Sequence, residues 1–145
     1  KLLKDESPGV IPGLSFLNME LIQSNNLNQT FAAYSKGARI GDLMLFSGQV
    51  ALGDDGNLVK GGITCEARKI FDNINVLLKE NGLQLTNVAK LNIYIAKMNT
   101  DNFAKFNAVY TDWVGDHRPA RTAIGVYSLP KQGNVEIEFI AEAKC

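Results

Sequence analysis

Two residues near the end of the chain have types suited to hydrolytic chemistry. Arg121 stands in Arg118-Pro119-Ala120-Arg121-Thr122-Ala123-Ile124-Gly125-Val126, and Glu136 stands in Val135-Glu136-Ile137-Glu138-Phe139-Ile140-Ala141. A guanidinium fork binds a carboxylate at two points, and a carboxylate can orient or deprotonate water. Side by side, such a pair suits hydrolysis of a small anionic substrate. An ordinary ion pair at a strand end is the competing explanation, because structural salt bridges use the same residue types. Asn107 is a third candidate, a polar residue one position past an apolar helical stripe.

The pair needs two strands to hold it. Pro119 pushes Arg118 toward extended geometry, so Arg121 falls at the start of a strand. Val135, Ile137, Phe139 and Ala141 alternate with Glu136, Glu138, Ile140 and Glu142, the period of a strand with one apolar face. Leu129-Pro130 marks a turn between them. If these strands are close, Arg121 and Glu136 meet at one edge.

Upstream, Ala38-Arg39-Ile40 reads as a strand, Gly41-Asp42 as a turn and Leu43-Met44-Leu45-Phe46 as the partner strand. Ser47-Gly48-Gln49 lets the chain bend, and Val50-Ala51-Leu52 continues the strand. Gly53-Asp54-Asp55-Gly56-Asn57 is a turn without the ligand spacing of a calcium loop. Residues 63 to 81 form a helix: Ile63, Ala67, Ile70, Ile74, Leu77 and Leu78 make one stripe, with Glu66, Lys69, Asp72 and Lys79 mostly on the other side. Gly82 follows as a stop. Ala89, Leu91, Ile93 and Ile95 alternate with polar positions in a further strand. Thr100 is placed to cap a second helix, buried through Phe103, Phe106, Tyr110 and Trp113 or Val114. The order is strand, strand, helix, strand, helix, strand, strand. That describes an α+β fold, a mixed sheet with two helices on one face. Ile140 lies on the Glu face of the last strand, which points to cover by another subunit and to a small closed homo-oligomer.

Size and charge limit the functions. A chain of 145 residues is most simply one domain. Residues 1–26 carry Pro8, Gly9, Pro12 and Gly13 and read as a variable arm; 27–145 is the domain. The formal net charge is zero, with no basic stripe, so nucleic acid is not expected as a main partner. No apolar run approaches the roughly 20 residues that cross a bilayer. Cys65 and Cys145 form no metal spacing; Cys65 reads as a buried structural thiol and Cys145 as frayed. This usage fits a reducing compartment, and the expected location is the cytoplasm. The chain begins at Lys1 rather than Met, which leaves room for a processed leader and an organellar or exported destination. Asn28-Gln29-Thr30 matches a glycosylation sequon, a pattern that arises often by chance. There is no GxGxxG, Walker loop, HExxH, GxSxG or zinc-finger set, so neither a cofactor nor a catalytic metal is expected. His117, the single histidine, has no partner at metal spacing.

Taken together, Phe46-Ser47-Gly48-Gln49, Asp72-Asn73-Ile74, Asn107-Ala108-Val109-Tyr110, Arg118-Pro119-Ala120-Arg121-Thr122, Leu129-Pro130 and Val135-Glu136-Ile137-Glu138-Phe139-Ile140-Ala141 resemble the Rid family (reactive intermediate deaminases, also called YjgF or L-PSP) in order and spacing. The resemblance covers about Tyr34 to Ala143. It implies a chorismate-mutase-like fold and a homotrimer with a barrel-like centre and ligand clefts between subunits. It also implies hydrolysis of 2-imino acids and their enamine tautomers to 2-oxo acids and ammonia, without a cofactor. In that likeness Arg121 grips the substrate carboxylate and Glu136 orients water or moves protons. Tyr34, Ser47 and Asn107 line the cleft, and Ala123 stands at a substrate-contacting position. The chain departs from the pattern at Ala32-Ala33, where Gly-Pro is usual, at Lys36, where Gln is common, and at Ala123, where many relatives carry Cys or Thr. Two other readings stand beside the enzyme: a non-catalytic anion-binding or regulatory trimer, and, third, a ribonuclease or translation inhibitor.

Overall fold

The computed structural model describes residues 19–143. Most of the expected arm, and Cys145, lie outside them. Six strands form one sheet in the order β1-β2-β3-β6-β4-β5, where β1 is Met19–Ile22, β2 Gly37–Ile40, β3 Leu43–Gln49, β4 Val88–Ala96, β5 Ala120–Val126 and β6 Val135–Glu142. Neighbours are antiparallel except β4 and β5, which run parallel. A parallel pair needs a crossover, and α2 (Thr100–Val114) supplies it; α1 (Gly62–Glu80) links β3 to β4. The last strand, β6, slots between β3 and β4. This is the α+β architecture expected from the periodicities.

Met19–Ile22 pairs with β2, and Glu80 on α1 accepts the backbone N–H groups of Asn25 and Asn26, so the sheet reaches back before residue 27. β3 bends at Ser47–Gly48, where its register against β6 shifts between Phe46 and Gln49. The strand ends there, and Val50-Ala51-Leu52 does not continue it; Leu52 makes only an isolated bridge to Leu58. A second shift, between Val88 and Lys90, turns Ala89 outward and puts Val88 in the core instead.

Both helices cover one face. Ile70, Ile74 and Leu77 of α1 and Phe106 of α2 share a fully buried cluster with Leu91, Ile93 and Ile95 of β4 and Val135, Ile137 and Phe139 of β6. Burying each such side chain contributes about 1.5–3 kcal/mol. Phe46 stacks on Phe139 at 4.3 Å, and Phe71 of α1 stacks on Trp113 of α2 at 4.4 Å. α1 closes through Gly82, whose φ of 68° lets Leu83 N–H reach back to Leu78 O. α2 is capped by Asn99 rather than Thr100: Asn99 and Asn102 exchange side-chain to backbone hydrogen bonds.

Glu66, expected on the polar side of α1, is 1% exposed. Its carboxylate accepts both the backbone N–H and the side-chain amide of Asn134, at 2.7 and 2.6 Å, and so ties α1 to the start of β6. Cys65 is only half-buried. Asn28 donates its side-chain amide to Gly53 O at 2.5 Å, so the sequon nitrogen is part of the fold.

Candidate active site

The open face of the sheet and its β5 edge carry the candidate residues, in two separate groups. Register places Arg121 beside Leu91 and Ala123 beside Ile93, on the helix-covered side. Glu136 lies beside Tyr94, whose neighbour Asn92 pairs with Glu138, on the open side. Alternation along a strand sends successive side chains to opposite faces. Arg121 and Glu136 therefore occupy opposite faces with β4 between their strands. They do not meet at one edge within the chain, and the expected close pair is corrected.

At the β5 edge, the Arg121 guanidinium donates to Asn107 Oδ1 at 2.8 Å and sits 4.7 Å from the centre of the Tyr110 ring. A neutral oxygen and an aromatic face orient the cation without neutralising it. Among the described residues no carboxylate pairs with Arg121. Arg118 is different: its guanidinium donates to the Gly115 and His117 carbonyls and closes the end of α2. Ala123 is half-buried two residues along the same face. Tyr110 was legible only as core; its contact with Arg121 depends on α2 lying over β5. His117 Nε2 donates to Val88 O at 2.7 Å, a structural use.

On the open face, Glu136 packs against Gly48. A Cβ on Gly48 would lie 2.1 Å from Glu136 Oε1, so only glycine admits the carboxylate. Burial first, and then the negative charge of Glu138, push the Glu136 carboxyl above the ordinary range. Glu138 itself accepts from Tyr94 Oη at 2.6 Å and Asn92 Nδ2 at 3.0 Å. Burial and the Glu136 charge raise the Tyr34 phenol, which keeps its proton. Ser47 donates to Ser35 O at 2.6 Å, holding the Tyr34 loop against β3. Tyr34, Ser47 and Glu136 are thus gathered around Gly48, while Arg121, Asn107 and Ala123 are gathered at the β5 edge.

The β1–β3 half of the open face is apolar, whereas Lys90, which donates to Thr122 Oγ1 at 3.2 Å, and Glu142 add polar groups elsewhere on it. Met19, Leu21, Ile40, Leu43, Leu45 and Ile124 are exposed on it. No helix of the described residues is long and apolar enough to cross a membrane, and no group of three or more His, Cys, Asp or Glu among them is placed to hold a metal ion.

The fold is that of a small α+β protein with an arginine at its β5 edge and a half-buried carboxyl on its open face. The model of the family described as Endoribonuclease L-PSP matches residues 24–143. A RutC family protein of Pyrococcus horikoshii is 36% identical over 123 residues, covering 84% of this chain and 96% of its own. The 2-iminobutanoate/2-iminopropanoate deaminase of Bos taurus is 35% identical over 129 residues, covering 88% and 93%. The crystal structure of yeast Mmf1 superposes with a TM-score of 0.81 at 32% identity, covering 88% of this chain and all of that one. The chain belongs to this L-PSP family, the Rid or YjgF family that its motifs resemble.

Proposed function

We propose that this chain hydrolyses 2-imino acids, and the enamines in equilibrium with them, to 2-oxo acids and ammonia in clefts shared by two copies of a homotrimer. The observation that carries this is the Arg121 guanidinium, oriented by Asn107 and Tyr110 and left without a carboxylate partner among the described residues. The split between the groups supports the shared cleft. A second copy that covers the apolar open face could bring its own Arg121 edge to the Glu136 of the first, and closed symmetry would repeat that contact. The printed name of the cattle relative supports the substrate class.

The chemistry needs little from the protein. The protonated imine is already electrophilic at C2. Arg121 holds the carboxylate in two-point geometry, which fixes C2. Glu136, as carboxylate, takes a proton from water as the oxygen bonds to C2. The same proton then passes to the nitrogen of the tetrahedral adduct; as the C–N bond breaks, the adduct hydroxyl gives its proton back to the Glu136 carboxylate, the C2 carbonyl forms, and ammonia leaves with the 2-oxo acid. A raised Glu136 pKa brings the base closer to neutrality, where proton transfer in both directions is efficient. Tyr34, held protonated, can donate to the adduct.

The test couples an amino-acid oxidase or threonine dehydratase to semicarbazide trapping. Wild type lowers the trapped imine, and Arg121→Ala at equal concentration does not. Equal turnover by the two proteins would remove the mechanism. Binding of 2-oxo acids by calorimetry with no turnover of any imine would favour a regulatory trimer. The neutral charge and the structural use of His117 give no support to a nuclease.

A further inference from the structure

A second concavity adjoins the Glu136 group, between the 27–36 segment, the end of β3 and α1. Tyr34, Lys36, Gln49, Lys69 and Asn73 supply most of its polar lining. Lys36 is half-buried and makes no ion pair among the described residues. Burial alone lowers its ammonium below the ordinary lysine range, the response of a cation withdrawn from water without a partner. Asn73 is 6% exposed and has no hydrogen-bond partner among the described residues. No side-chain polar atom cut off from solvent is left unpaired there, so the Asn73 amide looks onto the water of the cleft. Gln49, 5% exposed, donates to Ser47 O at 3.0 Å. Asp54 stands on the rim in an exposed turn and pairs with neither lysine.

Two ammonium groups and a buried amide with free hydrogen-bonding capacity, with no protein counter-ion paired to them, are complementary to a carboxylate. The cleft is also placed to share a ligand with the reacting centre. Gly48 forms part of its wall, and Glu136 packs directly on Gly48. Tyr34 lines the cleft and feels the Glu136 charge. A molecule whose C2 lies near Glu136 can extend its side chain past Gly48 toward Lys36.

We propose that this cleft is the side-chain pocket of the imine site, and that Lys36 with Asn73 receives the second carboxylate of a dicarboxylic 2-imino acid or its 2-oxo product. The inference rests on the deaminase reading for its reaction, but its binding preference can be measured separately. Calorimetry compares 2-oxoglutarate with 2-oxobutanoate on wild type, Lys36→Met and Lys36→Arg. Wild type should bind the dicarboxylate about tenfold more tightly, the effect of one charge-assisted hydrogen bond. Lys36→Met, with an unchanged melting temperature, should lose that preference, and Lys36→Arg should keep most of it. Equal affinity for the two acids in wild type, or a preference that survives in Lys36→Met, would overturn the pocket. The trapping assay on imines made from alanine and from glutamate runs in parallel. A preference that depends on Lys36, with no imine consumed, would leave the pocket standing and remove the deaminase. Imines consumed without any preference would do the reverse.

Discussion

The two halves of the candidate site hold their charges in opposite ways. Arg121 rests on a neutral amide oxygen and an aromatic ring at the β5 edge, so its positive charge is directed but not spent. Glu136 is hemmed by the Gly48 backbone and faces the charge of Glu138, so its carboxyl is pushed toward the protonated form. In the proposed reaction the first half binds the substrate anion and the second takes and returns a proton. The fold keeps them apart by running β4 between β6 and β5. In the proposed trimer a ligand that needs both takes them from different copies.

The comparison can be broken at the contact between copies. Leu45 is 40% exposed on the open face and belongs to neither half. Leu45→Glu should give a single-chain mass by sedimentation, unchanged far-ultraviolet circular dichroism and no turnover; full activity as a monomer would rule out the shared cleft. Breaking the proton half comes next. Glu136→Gln should lower kcat about 10²- to 10⁴-fold, the usual worth of a general base, with little change in KM. In wild type kcat should rise with pH through an apparent pKa above the ordinary carboxylate range, and this limb should vanish in the variant. Stability moves the other way. The folded chain holds the Glu136 proton more tightly than the unfolded chain, so stability falls as pH climbs from the unfolded carboxylate pKa through the raised folded one. Glu136→Gln should therefore melt higher than wild type at neutral pH, as calorimetry would read.

The binding half should fail differently. Arg121→Ala should raise KM and lower kcat/KM by about 100-fold or more, leaving no turnover detectable by trapping, the loss of two charge-assisted hydrogen bonds. Tyr110→Leu keeps the apolar bulk but removes the ring face beneath the guanidinium. It should raise KM about two- to tenfold and leave the pH profile of kcat unmoved. A shift in that profile would mean that the two halves do not act independently.

Local periodicity made much of this fold legible. The alternation in β6 and the stripe of α1 each name the residues found in the core, because burial on one face imposes a period. What escaped depends on partners distant in sequence. Ala89 gave way to Val88 because a bulge belongs to a pair of strands, not to one. Glu66 has the helical phase of a solvated residue and is buried because Asn134 brings it two donors. Arg121, Glu136 and Asn107 were recognisable by type and position, and Tyr34, Ser47 and Ala123 by family likeness. Their division into two groups was not visible, since nothing local states that β6 inserts beside β3. Tyr110 was hidden by its neighbours, aromatics at helical spacing that are mostly core.

The most direct test mixes two inactive proteins. Arg121→Ala and Glu136→Gln chains are unfolded together, refolded at equal concentration, and assayed for imine hydrolysis by trapping. Each refolded alone should stay inactive. The mixture should recover about a quarter of wild-type activity, because one in four random contacts joins an intact Arg121 to an intact Glu136. A mixture no more active than its components, with mixed trimers demonstrated by mass, would contradict a site shared between chains.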